Sequence, residues 1–230
     1  MIYEHTIAYE SSKYDFQSIF KRIFEVTDLQ STHLAYPSLD EQLTFEKDTK
    51  THFHRKYYDS VYYTEIIDLY NTFVRDVILP RYSDISYAVQ VDPSFRIHLP
   101  NNTALGIREE DIDDRIGIHC DAEYNHQPGE INFVLPITQM FDTNTLYVES
   151  SPLIGDFHPV TLEIGEVFCF YGNKCRHFNK CNRTEKTRIS LDFRIIPMSS
   201  YDETWDRNSV HGKLPLKLGG YFKKVNGHCD

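Results

Sequence analysis

No basic stripe runs through this 230-residue sequence. Acidic side chains outnumber lysine and arginine, 34 to 24, for a formal net charge of −10, and nothing resembles a Lys/Arg cluster. A polyphosphate backbone would find no counter-surface, so nucleic acid is not expected as a partner. No apolar stretch is long enough to cross a bilayer, so no membrane is expected either. The first residues, MIYEHTIAYE, lack the basic start and apolar run of a secretion signal. Cysteine is sparse and odd in number, at positions 120, 169, 175, 181 and 229. Without a secretion signal, that usage implies reduced thiols and a cytoplasmic setting. Cys175 and Cys181 flank His177, but their spacing matches no common zinc motif and no second cysteine pair follows. Repeats, low-complexity tracts and linkers are also missing. One domain over 1–230 is therefore expected: a helical part at 1–85, a β core at 86–197 and a tail at 198–230. Nothing reports on oligomeric state.

What is present is aromatic and patterned. Phenylalanine, tyrosine and tryptophan make up 14% of the chain, a composition that strands and pockets favour. In YDFQSIFKRIFEV, the residues Phe16, Ile19, Phe20, Ile23 and Phe24 fall on one helical stripe, with Asp15 as its cap. Tyr62, Ile66, Leu69, Tyr70, Phe73, Val77 and Ile78 predict a second helix over 59–79, stopped by Pro80. The polar segment between the two carries His52 and His54, which are expected at the surface without a metal role. After Tyr82 the texture changes to short strands: SFRIHLP, a turn and short strand at NNTALG, then EINFVLPI, NTLYVES, FHPVTLEIG, EVFCFYG and TRISLDFRIIP. Such spacing suggests a sandwich, jelly roll or barrel. From Met198 onward the tail reads as irregular.

The chemistry concentrates at GIHCDAEYNH. Side chains two apart on a strand share a face, so His119 and Asp121 point together and Cys120 points away. A carboxylate facing a barrel interior is costly without a partner, and a divalent cation offsets that cost. A third ligand is available in YGNKCRHFN: His177, 56 residues after Asp121, enough chain for several strands to return to the same end of a barrel. Two histidines and one carboxylate form the facial triad of non-haem Fe(II) sites, which leaves coordination positions open. Eleven residues beyond His177, Arg188 sits mid-strand in an apolar run, with Ser190 on the same face. A guanidinium pairs a carboxylate bidentately, and a hydroxyl adds a further hydrogen bond. The bland alternative is a barrel in which His119 and His177 are core histidines satisfied by hydrogen bonds.

His-X-Asp, a distal His and Arg-X-Ser, in that order, resemble the Fe(II)/2-oxoglutarate-dependent oxygenase superfamily over roughly 94–197. Within that span, FRIHLP, GEINFVLPIT, NTLYVES and YGNKCRH look like the small oxygenase-like proteins of aminoglycoside (streptomycin-type) gene clusters. NTLYVESSP is similar, more distantly, to a segment of phytanoyl-CoA hydroxylase relatives, with Thr145 where that family has glycine. The resemblance implies a double-stranded β-helix, the cupin-like jelly roll, mainly β and preceded by N-terminal α-helices. It implies that His119, Asp121 and His177 bind Fe(II), and that Arg188, assisted by Ser190, holds the distal carboxylate of 2-oxoglutarate. It implies O2 as the oxidant, succinate and CO2 as products, and hydroxylation of a small molecule as the commonest outcome. The presence of Asp121 argues against halogenation, since halogenases of the superfamily lack that carboxylate.

A supporting cast follows. Asn132 in EINFVLP is a candidate co-substrate contact, because a buried amide without a partner would be expensive. Arg96 and His98 share a strand face and, with Tyr124, are candidate substrate contacts; the same Arg and His would also suit a salt-bridged outer face. Asn144 and Glu149 are weaker candidates. The segment Tyr124, Asn125, His126 and the region of Trp205 are candidate lids, with Trp205 reading better as a packing anchor. Two other classes stay open: a cupin-like metal enzyme that does not use 2-oxoglutarate, and a non-catalytic sugar-binding jelly roll. The substrate is expected to be polar, sugar-like or amino-containing.

Overall fold

A computed structural model describes residues 4–36, 51–104, 114–210 and 213–227. The architecture is mainly β with a layer of helices on one side. The N-terminal strand β1 (His5–Ala8) leads into helices α1 (Phe16–Phe24), α2 (Thr32–Ala35), α3 (His52–Tyr58) and α4 (Tyr63–Phe73). Ten strands follow: β2 (Ser86–Gln90), β3 (Ser94–His98), β4 (Ile116–His119), β5 (Ile131–Pro136), β6 (Leu146–Val148), β7 (His158–Pro159), β8 (Glu166–Phe170), β9 (His177–Asn179), β10 (Arg188–Pro197) and β11 (Phe222–Asn226). They form two antiparallel sheets. The larger runs β1-β8-β5-β10-β2-β11, with β3 also on β10; the smaller runs β4-β9-β6-β7.

The ten-residue strand β10 shows how the sequence makes this arrangement. Its odd positions, Ile189, Leu191, Phe193 and Ile195, are buried in one cluster with the apolar stripe of α1. Its even positions, Arg188, Ser190, Asp192 and Arg194, carry every polar group of that stretch. Alternation of side chains along a strand sends the first set to the helices and the second to the opposite sheet face. Each large apolar side chain so buried contributes about 1.5–3 kcal/mol. A second apolar cluster, including Val134, Leu146, Val148, Phe168 and Phe170, joins strands of both sheets and holds them face to face.

Helix α1 begins where expected: the Asp15 side chain accepts from Ser18 N at 3.0 Å. Its Phe20 stacks on Tyr57 and Phe95.

Several expectations need correction. The segment expected as one helix over 59–79 starts at Tyr63, widens into a π turn at Val74–Ile78 and ends in a 3-10 turn at Leu79–Arg81. The polar segment around His52 and His54 is itself helical, and His54 is 2% exposed, with Nδ1 on Thr51 Oγ1 at 2.7 Å. Its polar neighbours mask a local apolar face of Phe53, His54 and Tyr57. The tail is not irregular throughout, since β11 pairs with β2. The N-terminal third is not purely helical, since β1 pairs with β8. Both are edge strands too short to carry a visible alternation. FHPVTLEIG contributes only β7, two residues long. The short strand expected after NNTALG lies outside the described residues.

Candidate metal centre

Strands β4 and β9 pair with His119 directly opposite His177. The ladder is irregular between Ile116 and His119, where Gly117 adopts φ 66°, a conformation that glycine takes without strain. Strand β4 ends at His119, so Asp121 is not on it; Asp121 opens a 3-10 turn instead. That turn is held by Asp121 N donating to Gly172 O at 2.8 Å and Ala122 N donating to Asn173 O at 3.2 Å. The pairing expected from strand alternation is therefore reached by a turn.

The three side chains converge. One ligand atom from each of His119, Asp121 and His177 lies within 4.8 Å of the other two. Asp121 Oδ1 stands 3.6 Å from Nε2 of both histidines. Each histidine turns its other nitrogen to a backbone carbonyl: His119 Nδ1 to Gly117 O at 2.5 Å, His177 Nδ1 to Cys175 O at 3.1 Å. A carbonyl only accepts, so each Nδ1 carries a proton, and each Nε2 faces Asp121. This is the outer arrangement that orients metal-binding imidazoles. Burial, with His119 close by, pulls His177 down to about 4, so its ring is neutral at pH 7. Burial alone would push the Asp121 carboxyl up; the Arg194 guanidinium and His119 outweigh it and hold the carboxyl well below the usual range. Two imidazoles, that of His177 held neutral, and one ionised carboxylate form a donor set that suits a divalent transition metal.

The cavity beside this triad is lined by Arg188, Asn179, Asn132, Arg96, Asp192 and Arg194, over an apolar floor that includes Phe170 and Leu146. Arg188 is 3% exposed. It donates to Asn144 O at 3.0 Å, Ser190 Oγ at 2.8 Å and Asn179 Oδ1 at 2.9 Å. A guanidinium has five N–H donors, so three fix it to the protein and two are left for a ligand. Burial pulls it down to about 10, with Arg96 adding and Asp192 opposing, so it remains a cation at neutral pH. Ser190 Oγ donates onward to Asp192 Oδ1 at 3.1 Å, and Arg96 Nε donates to Asp192 Oδ2 at 3.3 Å.

The supporting residues divide. Asn132 lines the cavity, and its Nδ2 donates to Asp121 Oδ2 at 2.6 Å while its buried Oδ1 has no partner. Gly172 makes room for this amide, because a Cβ there would stand 2.7 Å from Asn132 Cγ. Arg96 reaches the cavity wall. His98, expected as a substrate contact, is fully buried, with its ring nitrogens on Asn144 O and Asn102 O. It shares the Asn144 carbonyl with Arg188 and supports that side chain from behind. Tyr124 packs edge-on against His119, with ring centroids 4.7 Å apart. Asn144 acts through its carbonyl, and Glu149 is spent on Arg176, bonding its backbone N, Nε and Nη2. Trp205 donates its indole N–H to Asn125 O at 2.9 Å, which ties the two candidate lid segments together as an anchor.

Sequence reasoning missed Arg194, Glu130 and Asn179. The signal was available. Asn179 is two residues beyond His177, and Arg194 continues the alternation of Arg188, Ser190 and Asp192 along β10. Arg194 Nε and Nη2 lie 2.9 and 2.7 Å from Asp121 Oδ2, and Nε lies 3.4 Å from Glu130 Oε2.

No family model matches this sequence. The streptomycin biosynthesis protein StrG of Streptomyces griseus is 37% identical over 186 residues, which cover 81% of this chain and 82% of that protein. Among solved structures, the non-heme alpha ketoglutarate dependent carbocyclase SnoK from nogalamycin biosynthesis superposes with a TM-score of 0.55 at 12% identity, over 98% of this chain and 93% of that one. The likeness to SnoK is one of fold; the likeness to StrG is one of sequence, over about four fifths of each protein. The chain belongs to the family of the streptomycin biosynthesis protein StrG, with the fold of the Fe(II)/2-oxoglutarate-dependent oxygenases.

Proposed function

We propose that the protein is an Fe(II)- and 2-oxoglutarate-dependent dioxygenase that hydroxylates a polar small molecule, releasing succinate and CO2. In this reading the two facing sheets are a jelly roll within a single oxygenase domain. His119, Asp121 and His177 would hold Fe(II), and Arg188 the distal carboxylate of 2-oxoglutarate. The observation that carries the proposal is the pairing of an open His-Asp-His cluster with a buried guanidinium that keeps two donors free in the same cavity.

Bound iron supplies the coupling of O2 reduction and keto-acid decarboxylation to oxidation of a substrate C–H bond. The chain's own residues do the rest. Asn144, Ser190 and Asn179 fix the Arg188 fork, so little ordering remains when a carboxylate arrives. Phe170 and Leu146 exclude water from the floor of the site. Arg96 and Asp192 present a cation and an anion on the wall, and Asn132 presents an unpaired amide oxygen. Those groups suit a ligand rich in hydroxyl or amino groups, and the StrG likeness favours a sugar or aminocyclitol.

A cupin-like metal enzyme that chelates its substrate directly has no use for Arg188, and a sugar-binding jelly roll has none for the open cluster. Anaerobic addition of Fe(II) and then 2-oxoglutarate should produce a weak visible metal-to-ligand band. His177→Ala should lose it together with iron retention. Succinate formation against a panel containing aminocyclitols and glycosides then identifies the substrate. No band in the wild type, with iron bound, would remove 2-oxoglutarate from the proposal.

A further inference from the structure

The two oxygens of Asp121 are treated very differently. Oδ1 faces both histidine Nε2 atoms at 3.6 Å. Oδ2 accepts from Asn132 Nδ2 at 2.6 Å and lies 2.9 and 2.7 Å from Arg194 Nε and Nη2. A carboxylate oxygen has about two lone-pair sites, so Oδ2 is saturated. We infer that Arg194 and Asn132 act as positioning residues that restrict Asp121 to one ligating oxygen, so that the carboxylate cannot swing to grip a metal with both. This rests on the metal site proposed above.

The clamp is rigid because its own parts are held. Arg194 Nη1 donates to Tyr221 OH at 2.9 Å, and its Nε sits beside Glu130 Oε2. Glu130 has no exposed surface; it accepts from Gln127 N at 3.0 Å and meets His126 Nδ1 at 2.7 Å. Asn132 stands directly over Gly172, whose missing side chain leaves it room. For Oδ2 to become a ligand, these contacts would all have to break inside a buried site, where orphaned donors are expensive. A second ligating oxygen would also occupy one of the positions that a facial triad leaves open. The clamp therefore protects the positions needed by the keto acid and O2. It also explains a cation set against a metal ligand: a guanidinium there is tolerable because it takes the oxygen facing away from the histidines.

Mn(II) alone is a suitable probe, since water-proton relaxation reads how many exchangeable waters it keeps. Wild type, Arg194→Met, Asn132→Ala and Arg194→Lys are loaded with Mn(II) as full chains, with folding checked by circular dichroism. Released from the clamp, Asp121 grips with both oxygens and displaces one of three waters. The inner-sphere relaxation enhancement should then fall by about one third in Arg194→Met, less in Asn132→Ala, and recover partly in Arg194→Lys. Bound Mn(II) with wild-type enhancement in both Arg194→Met and Asn132→Ala overturns the clamp alone. Failure of the wild type to bind Mn(II) overturns the metal site and the clamp with it. If Arg194→Met does not fold, Asn132→Ala and Arg194→Lys decide by the same reading.

Discussion

Replacing Arg188 by lysine tests the anchor in the co-substrate reading most directly. The arginine is buried and gives three donors to Asn144, Ser190 and Asn179, leaving two for a carboxylate. A hydrogen bond to a charged partner is worth about 1.5–3 kcal/mol, so a two-pronged grip supplies about 3–6 kcal/mol. Lysine keeps the charge but loses the planar fork. Losing one prong of about 1.5–3 kcal/mol weakens 2-oxoglutarate binding by about 10- to 100-fold. Arg188→Met removes the charge as well and should cost about 100-fold or more, while also taking a donor from three buried acceptors and lowering stability. None of the atoms that Arg188 contacts belongs to the His-Asp-His cluster, so metal affinity should stay near the wild-type value in Arg188→Lys. Anaerobic titration of the metal-loaded protein with 2-oxoglutarate gives one constant, and titration with metal alone gives the other. A keto-acid affinity within about threefold of wild type would refute the assignment. A matching loss of metal affinity would show instead that the substitution deformed the whole site.

Two further outcomes follow from the same geometry. Burial, helped by Arg96, pulls His54 down to about 4, against an ordinary 6.5. The unfolded chain takes up a proton below pH 6.5 and the folded chain only near pH 4, so this group's contribution is full above pH 6.5 and is lost as pH falls toward 4. The loss amounts to about 3 kcal/mol; urea midpoints measured from pH 7 to 4.5 should fall less steeply in His54→Phe, and an unchanged slope would clear His54. In Gly172→Ala, the added methyl meets the Asn132 amide at 2.7 Å. It should lower stability by about 1–3 kcal/mol and weaken Mn(II) binding by displacing Asn132 from Asp121; an unchanged melt with unchanged Mn(II) affinity would show that the amide simply steps aside.

Much of the site could be read from the sequence because its chemistry is written in spacing. His119 and Asp121 stand two apart in sequence, and Arg188 with Ser190 stands out as polar alternation within an apolar run. The two side chains meet for a different cause than strand alternation, since Asp121 reaches His119 through a 3-10 turn. Arg194 went unread because a polar residue near the end of a strand usually marks a solvated rim. Only the return of β5 beside β10, pairing Asn132 with Arg194, turns it inward. His54 failed for a related reason: the charge of its sequence neighbours says nothing about the aromatic wall of Phe95 that covers it, with ring centroids 5.2 Å apart. Helix α1 and strand β10 were legible because each buries one complete face. The edge strands β1 and β11 were not, because their partners come from distant sequence.

The balance of charge between the two sheets bears on which ligand the cavity accepts. Arg96, Arg188 and Arg194 face Asp121 and Asp192, with Glu130 directly behind Arg194, so these arginines and carboxylates sum to zero. His177 adds none, being held neutral by burial. Seating a divalent metal in so dry a place leaves two positive charges without a partner, and the cost of an unpaired buried charge is high. A ligand that arrives with two carboxylates, one at the metal and one at Arg188, cancels both. A neutral sugar in the same place would cancel neither, and a monocarboxylate only one. The cavity is thus electrically complete only when metal and dianion are bound together, and each should tighten the binding of the other by the same factor.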